Sequence, residues 1–200
     1  MLRYLIIPFL FISYFFIDIP LVHFIHNNGI NTFVIFKILT HIPDVIIGFL
    51  ILFFMFFILF FKRFEQSKII NVLFLSMASV AISVHIKDFL KFVFGRYWPD
   101  TWIDANPSLL VHNAYGFHFF QKGSAYQSFP SGHTTVTFAF FSVLLYFYPK
   151  YKNILLLPGI LLAIGQIFMH YHFLSDVIAG AFLGWVIATI ICRFFANKIE

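Results

Sequence analysis

Val45-Ile-Ile-Gly-Phe-Leu-Ile-Leu-Phe-Phe-Met-Phe-Phe-Ile-Leu-Phe-Phe61 contains no charged or amide side chain and stops at Lys62-Arg63. A run of this kind approaches the roughly 20 apolar residues that carry a helix across a hydrocarbon layer. Inside that layer its backbone can satisfy its own hydrogen bonds only as a helix. The rest of the chain has the same character: 61% of its 200 residues are hydrophobic and 10% are charged, with a mean hydropathy of +0.91. A water-soluble domain of this size cannot hide so much apolar surface. The sequence therefore predicts one all-α integral membrane domain over residues 1–200, a bundle of six transmembrane helices.

Working outward from that run, about Tyr4 to Ile17 or a little beyond reads as the first span, with Asp18 and Pro20 marking its exit. His23 to Asp44, broken by Asn27-Asn28-Gly29 and Pro43, reads as an interfacial segment. On the other side, Ile69 to Phe94 is the third span, polar in its last turns at His85, Lys87, Asp88 and Lys91, which read as outer-edge residues. A long outer loop, Gly95 to Pro130, precedes span four (Thr134 to Tyr148), span five (Ile154 to Met169) and span six (Val177 to Cys192). Gly180 and Gly184 form a small-residue strip that lets span six pack closely on a neighbour. Trp98, Trp102, Tyr97, Phe117, Phe119 and Phe120 suit an aromatic belt at headgroup depth. Asp100, Asp104 and Asn106 in the loop carry no role readable from the sequence. Arg3 ahead of an apolar run resembles a signal peptide, but no small-residue cleavage site follows Tyr14 to Pro20, so a retained anchor is expected.

The net charge of +5 would suit nucleic acid in a soluble protein, yet here Lys and Arg lie mainly in the breaks between apolar runs, where they set orientation. No nucleic-acid partner is expected; the partners are the bilayer and a lipid substrate. With a cytoplasmic amino terminus, eight cations (Arg3, Lys62, Arg63, Lys68, Lys150, Lys152, Arg193, Lys198) fall inside and five (Lys37, Lys87, Lys91, Arg96, Lys122) outside. The expected location is a bacterial inner membrane with Lys91, Arg96, Ser131, His133, His172 and Asp176 on the periplasmic face. The single Cys192 supplies neither a disulfide nor a thiolate metal site. Nothing in the sequence signals an oligomeric state.

Those outer-face residues form a chemical set. Ser131-Gly132-His133 opens span four, so free N–H groups and the positive end of a helix dipole would face an anion there. His133 in that first turn is placed to give a proton to a leaving group. His172 and Asp176 are four apart and share a helix face if the helix has begun by His172. A carboxylate on one ring nitrogen leaves the other free to attack. Lys91 and Arg96 would neutralise phosphate oxygens. Taken singly, Ser131 reads equally well as an ordinary cap, the His–Asp pair as a helix-capping pair, and Lys91 as a snorkelling lysine. Together they suit phosphoryl transfer without a metal or other cofactor. His170-Tyr171-His172 invites a metal reading, but residues two apart diverge on a helix and no carboxylate or cysteine set completes a site; His170 reads as an interfacial polar residue.

Lys91-Phe-Val-Phe-Gly95-Arg96-Tyr-Trp-Pro99, Pro130-Ser-Gly-His133 and His172-Phe-Leu-Ser-Asp176-Val-Ile-Ala-Gly180 resemble the three signatures of the type-2 phosphatidic acid phosphatase superfamily, over about residues 87–184. The family shares its site with vanadium haloperoxidases. The resemblance implies that His172 is a nucleophile forming a phosphohistidine, Asp176 its orienting partner, and His133 the acid for the departing alcohol and then the base for water. It also implies that Lys91, Ser131 and Gly132 bind the phosphoryl group. Two positions depart from the pattern: Trp98 stands where the first signature has arginine, leaving Arg96 as the local substitute, and Gly165-Gln166 stands where the third has Ser-Arg. The expected function is metal-independent hydrolysis of a lipid phosphate monoester or pyrophosphate, with phosphatidic acid, phosphatidylglycerol phosphate, polyprenyl pyrophosphate and lipid A all open as substrates. A small transporter or channel, or a catalytically weakened lipid-binding relative, are the alternatives.

Overall fold

A computed structural model of the chain describes residues 2–64, 67–102 and 105–195, and the side chains of all of these but residues 2–4 and 60–64. Asp104 and Lys198 lie outside the described residues, as do the side chains of Arg3, Lys62 and Arg63. The described chain is helical, with only isolated β-bridges in the outer loop. In order the α-helices are α1 (Leu2–Ile12), α2 (Asp18–Asn27), α3 (Val34–Leu39), α4 (Ile42–Phe64), α5 (Lys68–Phe94), α6 (Leu109–His112), α7 (Gly132–Phe147), α8 (Lys152–Phe168) and α9 (Leu174–Phe195).

Among the described residues five stretches are long and apolar enough to cross a membrane: Leu5–Asn27, Val34–Leu59, Lys68–Phe94, Pro149–Phe168 and Leu174–Phe195. The remaining expected span, α7, is apolar but has 16 residues. It rises about 24 Å, short of a hydrocarbon core of about 30 Å. The chain is an integral membrane protein whose polarity is arranged accordingly. Phe15, Phe16, Leu52 and Leu59 are exposed on the outer helices, while Ser76, Ser79, Ser83 and Thr134, Thr135 and Thr137 are buried.

The amino-terminal region differs from the expectation. The first rod runs past the exit expected at Asp18 and Pro20 to Asn27, because a π-helical turn at Ser13–Ile17 joins α1 to α2 and the Asp18 N–H reaches back to the Ser13 carbonyl. Pro20 is tolerated in the first turn of α2, where the i to i−4 ladder is already interrupted. Nor is His23 to Asp44 a single interfacial segment: His23 to Asn27 completes the first rod, and Val34 onward leads into the second. Asn28 and the left-handed Gly29 (φ +64°) make the turn between them.

α7 is the hub, packing against α9, α5, α8 and α4. Lipid offers helices no hydrophobic reason to associate, so close approach and interhelical hydrogen bonds must hold them. Ser79 Oγ on α5 donates to the Ala139 carbonyl of α7 at 3.0 Å. On α9, a β-carbon at Gly184 would press to 2.7 Å from the Ala139 nitrogen. On α8, one at Gly165 would sit 2.8 Å from the Phe36 carbonyl oxygen. Gly165 thereby lets α3 lie against α8 and brings the start of α4 to the polar end of the bundle. Ile46 and Leu50 of α4 meet Val80, Val136, Ala139 and Phe140 in the core.

Candidate active site

At one end of the bundle the last turns of α5, the start of α7, the end of α8 and the α3–α4 junction surround a cavity of about 620 Å³. Lys91, Gly132, His133 and His172 line it. Two imidazoles read from signatures far apart in sequence therefore face one space. Ser131, Arg96 and Asp176 do not line the cavity; all three are fully buried behind it.

His172 precedes α9, which begins at Leu174, so the His172–Asp176 pair does not lie within one helix. Instead, the Tyr171 and His172 N–H groups both donate to the Gln166 carbonyl, at 3.0 and 3.2 Å, and fold the chain back from α8. Asp176 lies in the first turn of α9 and accepts from the Phe173 N–H at 3.0 Å, a reciprocal cap of the helix start. Asp176 Oδ2 also accepts from Ser128 Oγ at 2.7 Å and lies 3.7 Å from His172 Nδ1, while Ser128 Oγ is 3.5 Å from the same ring nitrogen. The carboxylate is thus aimed at the imidazole but stands beyond hydrogen-bond length, a geometry that commonly tightens when substrate arrives. Burial pushes the His172 pKa below the ordinary histidine value, against the opposing influence of the nearby Asp176 carboxylate. A lowered pKa favours the neutral ring at neutral pH.

Ser131 caps α7, its N–H donating to the Asp176 carbonyl at 3.0 Å and its hydroxyl engaged with Thr134 Oγ1 at 3.0 Å. The start of α7 is therefore tied to the start of α9, so Gly132 and the His172–Asp176 pair are held in register. Lys91 reaches the Gln127 carbonyl with Nζ, which also lies 5.5 Å from the centre of the Trp98 ring; that ring is 5.2 Å from His172.

Arg96 is not available to phosphate, which corrects its expected role. Its Nη1 donates to Ser175 Oγ at 2.7 Å and to Asp176, and its Nη2 donates to Asp18 at 2.8 Å and to Tyr115 at 3.0 Å. The rings of Tyr14, Tyr115, Phe117 and Phe173 enclose it, with centroids 4.3–5.1 Å away. Burial acts to lower its pKa, but the charges of Asp176 and Asp18 outweigh this and hold the guanidinium charged. Asp18, expected at a span exit, is a fully buried partner of Arg96 and accepts from the Ser175 N–H at 3.0 Å. Tyr115 donates to the Tyr14 carbonyl at 2.7 Å, inside the π-helical turn.

His170, expected at the interface, is buried with neither ring nitrogen partnered among the described residues, and its ring is 6.0 Å from His26. Trp102 Nε1 donates to its carbonyl at 3.1 Å. Asp100 accepts from the Thr101 N–H at 2.7 Å and Asn106 from the Trp102 N–H at 2.9 Å, so both fasten the loop. Among the described residues no three His, Cys, Asp or Glu side chains converge as a metal site.

The model of one family, the PAP2 superfamily, matches residues 69–200. The lipid A 1-phosphatase of Rhizobium etli is 34% identical over 108 residues, which make up 54% of this chain and 44% of that protein. That of Rhizobium johnstonii is also 34% identical over 108 residues, covering 54% and 41%. The chain thus spans less than half the length of these curated relatives. The crystal structure of LpxE from Aquifex aeolicus is 23% identical with a TM-score of 0.54, over 91% of this chain and 98% of that one, a likeness of fold. Matched by one family's model from α5 to its last residue, and with both histidine-bearing signatures facing one cavity, the chain belongs to the PAP2 superfamily.

Proposed function

We propose that the protein is a metal-independent lipid phosphatase of the bacterial inner membrane, hydrolysing a phosphate monoester or pyrophosphate at the periplasmic face. The observation that carries this reading is the shared cavity of His133, His172, Lys91 and Gly132. His172 attacks phosphorus with its free ring nitrogen, and the bond from phosphorus to the lipid oxygen breaks. His133 gives that oxygen its proton. His133 then takes a proton from water, whose oxygen attacks the phosphohistidine, releasing inorganic phosphate and restoring the His172 imidazole. Asp176 holds the His172 Nδ1 proton and offsets the positive charge that the ring acquires. The start of α7 and the Lys91 ammonium group stabilise the equatorial oxygens.

The cavity is larger than a phosphoryl group fills, and its further wall carries Lys37, Thr40, His41 and Asp44 beside Trp102 and Tyr171. Hydrogen-bonding groups beside aromatic rings suit a sugar headgroup, and the curated relatives are named for lipid A. A lipid A-type glycosyl phosphate is accordingly the preferred substrate. Purified protein in excess chelator should release phosphate from lipid A faster than from phosphatidic acid, phosphatidylglycerol phosphate or polyprenyl pyrophosphate, and orthovanadate should inhibit. Release that requires an added divalent ion, or none from any lipid, contradicts the reading.

The depressed His172 pKa also sets a pH dependence. A lowered pKa leaves the ring unprotonated further into acid, so the acid limb of kcat/KM should fall below about 6.5, the ordinary histidine value. A limb at or above that value would contradict a depressed His172 pKa.

A further inference from the structure

Hydrolysis as proposed brings a phosphate dianion into the cavity, and Lys91 is the one expected cation that lines it; Arg96 is spent on Asp18 and Asp176. Lys87, one helical turn earlier on α5, lines the same cavity. Its stem crosses the first residue of α7: a β-carbon at Gly132 would lie 3.1 Å from Lys87 Cδ and 3.6 Å from Nζ. The ammonium group is therefore poised over the free N–H groups that open α7, where an anion binds. Its present partner, Asp88, is 58% exposed and pairs with it at 2.6 Å. With Lys87 17% exposed and its carboxylate partner open to solvent, the pair is weakened on the Asp88 side and the ammonium can turn to a phosphate.

A second, independent observation lies on α8. Gln166 lines the cavity and is fully buried, yet neither Oε1 nor Nε2 finds a hydrogen-bond partner among the described residues. Buried amides are ordinarily satisfied, and one left open toward a cavity is suited to a bound polar group. Its own carbonyl holds the His172 N–H at 3.2 Å, and both residues line the cavity.

We propose that Lys87 and Gln166 complete the phosphate site, Lys87 as a second ammonium beside Lys91 over the start of α7 and Gln166 as an amide donor to a phosphoryl oxygen next to His172. The proposal rests on the phosphatase reading for its ligand.

The test uses the full chain in detergent with orthovanadate as probe, reading both thermal protection and inhibition of phosphate release. Lys87→Met and Gln166→Met should each weaken vanadate binding by about tenfold or more and raise KM more than they lower kcat. Gln166→Met should melt no lower than wild type without vanadate, because the amide has no protein partner to lose. Should Lys87→Met fail to fold, Lys87→Gln is read in the same way. Wild-type vanadate affinity in the Lys87 and Gln166 variants overturns the proposal even if the protein hydrolyses lipid phosphates. Wild-type protein that binds vanadate through Lys87 and Gln166 but releases no phosphate upholds the site and retires the hydrolase reading. Wild-type protein that does not bind vanadate overturns both.

Discussion

His172→Ala should reduce phosphate release by at least about three orders of magnitude while leaving the protein folded, because it removes the atom proposed to bond to phosphorus. The side chain is buried but adjoins the cavity, so its loss enlarges a space that already exists rather than opening a new one in packed core. The melting temperature should therefore change little. A phosphohistidine bond survives alkali and breaks in acid. An alkaline quench of wild-type protein during turnover should retain phosphate on the chain, and the same quench of His172→Ala should retain none. His133→Ala separates the two steps. With a substrate whose leaving group needs no proton, the phosphohistidine still forms, but water attacks it without a base, so bound phosphate should accumulate above the wild-type level. Release unchanged in His172→Ala, or no accumulation in His133→Ala, would deny those residues these roles.

The parts of this arrangement that the sequence disclosed are those with a local signature. Long, predominantly apolar runs mark α5, α8 and α9, and the Pro-Ser-Gly break before His133 marks the start of α7. The cavity brings together His133, His172, Lys91 and Gly132 because each sits at the end of such a run. Lys87 was within reach of the same reasoning. It is four residues before Lys91, and that spacing puts both on one helix face, but a lysine beside Asp88 at a membrane edge reads as an ordinary surface pair. Asp18 had no comparable signal. A carboxylate two residues before a proline looks like the end of a helix, and only the π-helical turn, which no period reveals, turns it inward to a partner 78 positions away. Arg96 failed for the complementary reason. Next to a phosphatase-like signature a cation suggests phosphate, whereas the two carboxyl groups that claim it come from opposite ends of the chain.

Arg96→Met should be the most destabilising single change in the molecule. It leaves Asp18 and Asp176 buried together with no counter-charge, and breaking a buried ion pair from one side costs about 3–5 kcal/mol. For a chain of this length that corresponds to a fall in melting temperature of roughly 6–20 °C. Arg96→Lys should recover little of it, because one ammonium cannot span the two carboxyl groups and the Tyr115 hydroxyl that the forked guanidinium joins. Adding Asp18→Asn to Arg96→Met removes one of the stranded charges and should restore part of the stability. Activity should stay low in that double variant, since Asp176 would still have lost the guanidinium that fixes it behind His172. The pattern separates the roles open to Arg96. A cation that bound substrate would leave the melting temperature unchanged and raise KM, and Asp18→Asn would have nothing to rescue. A cation that positions Asp176 lowers both stability and kcat, and its stability alone responds to the second substitution.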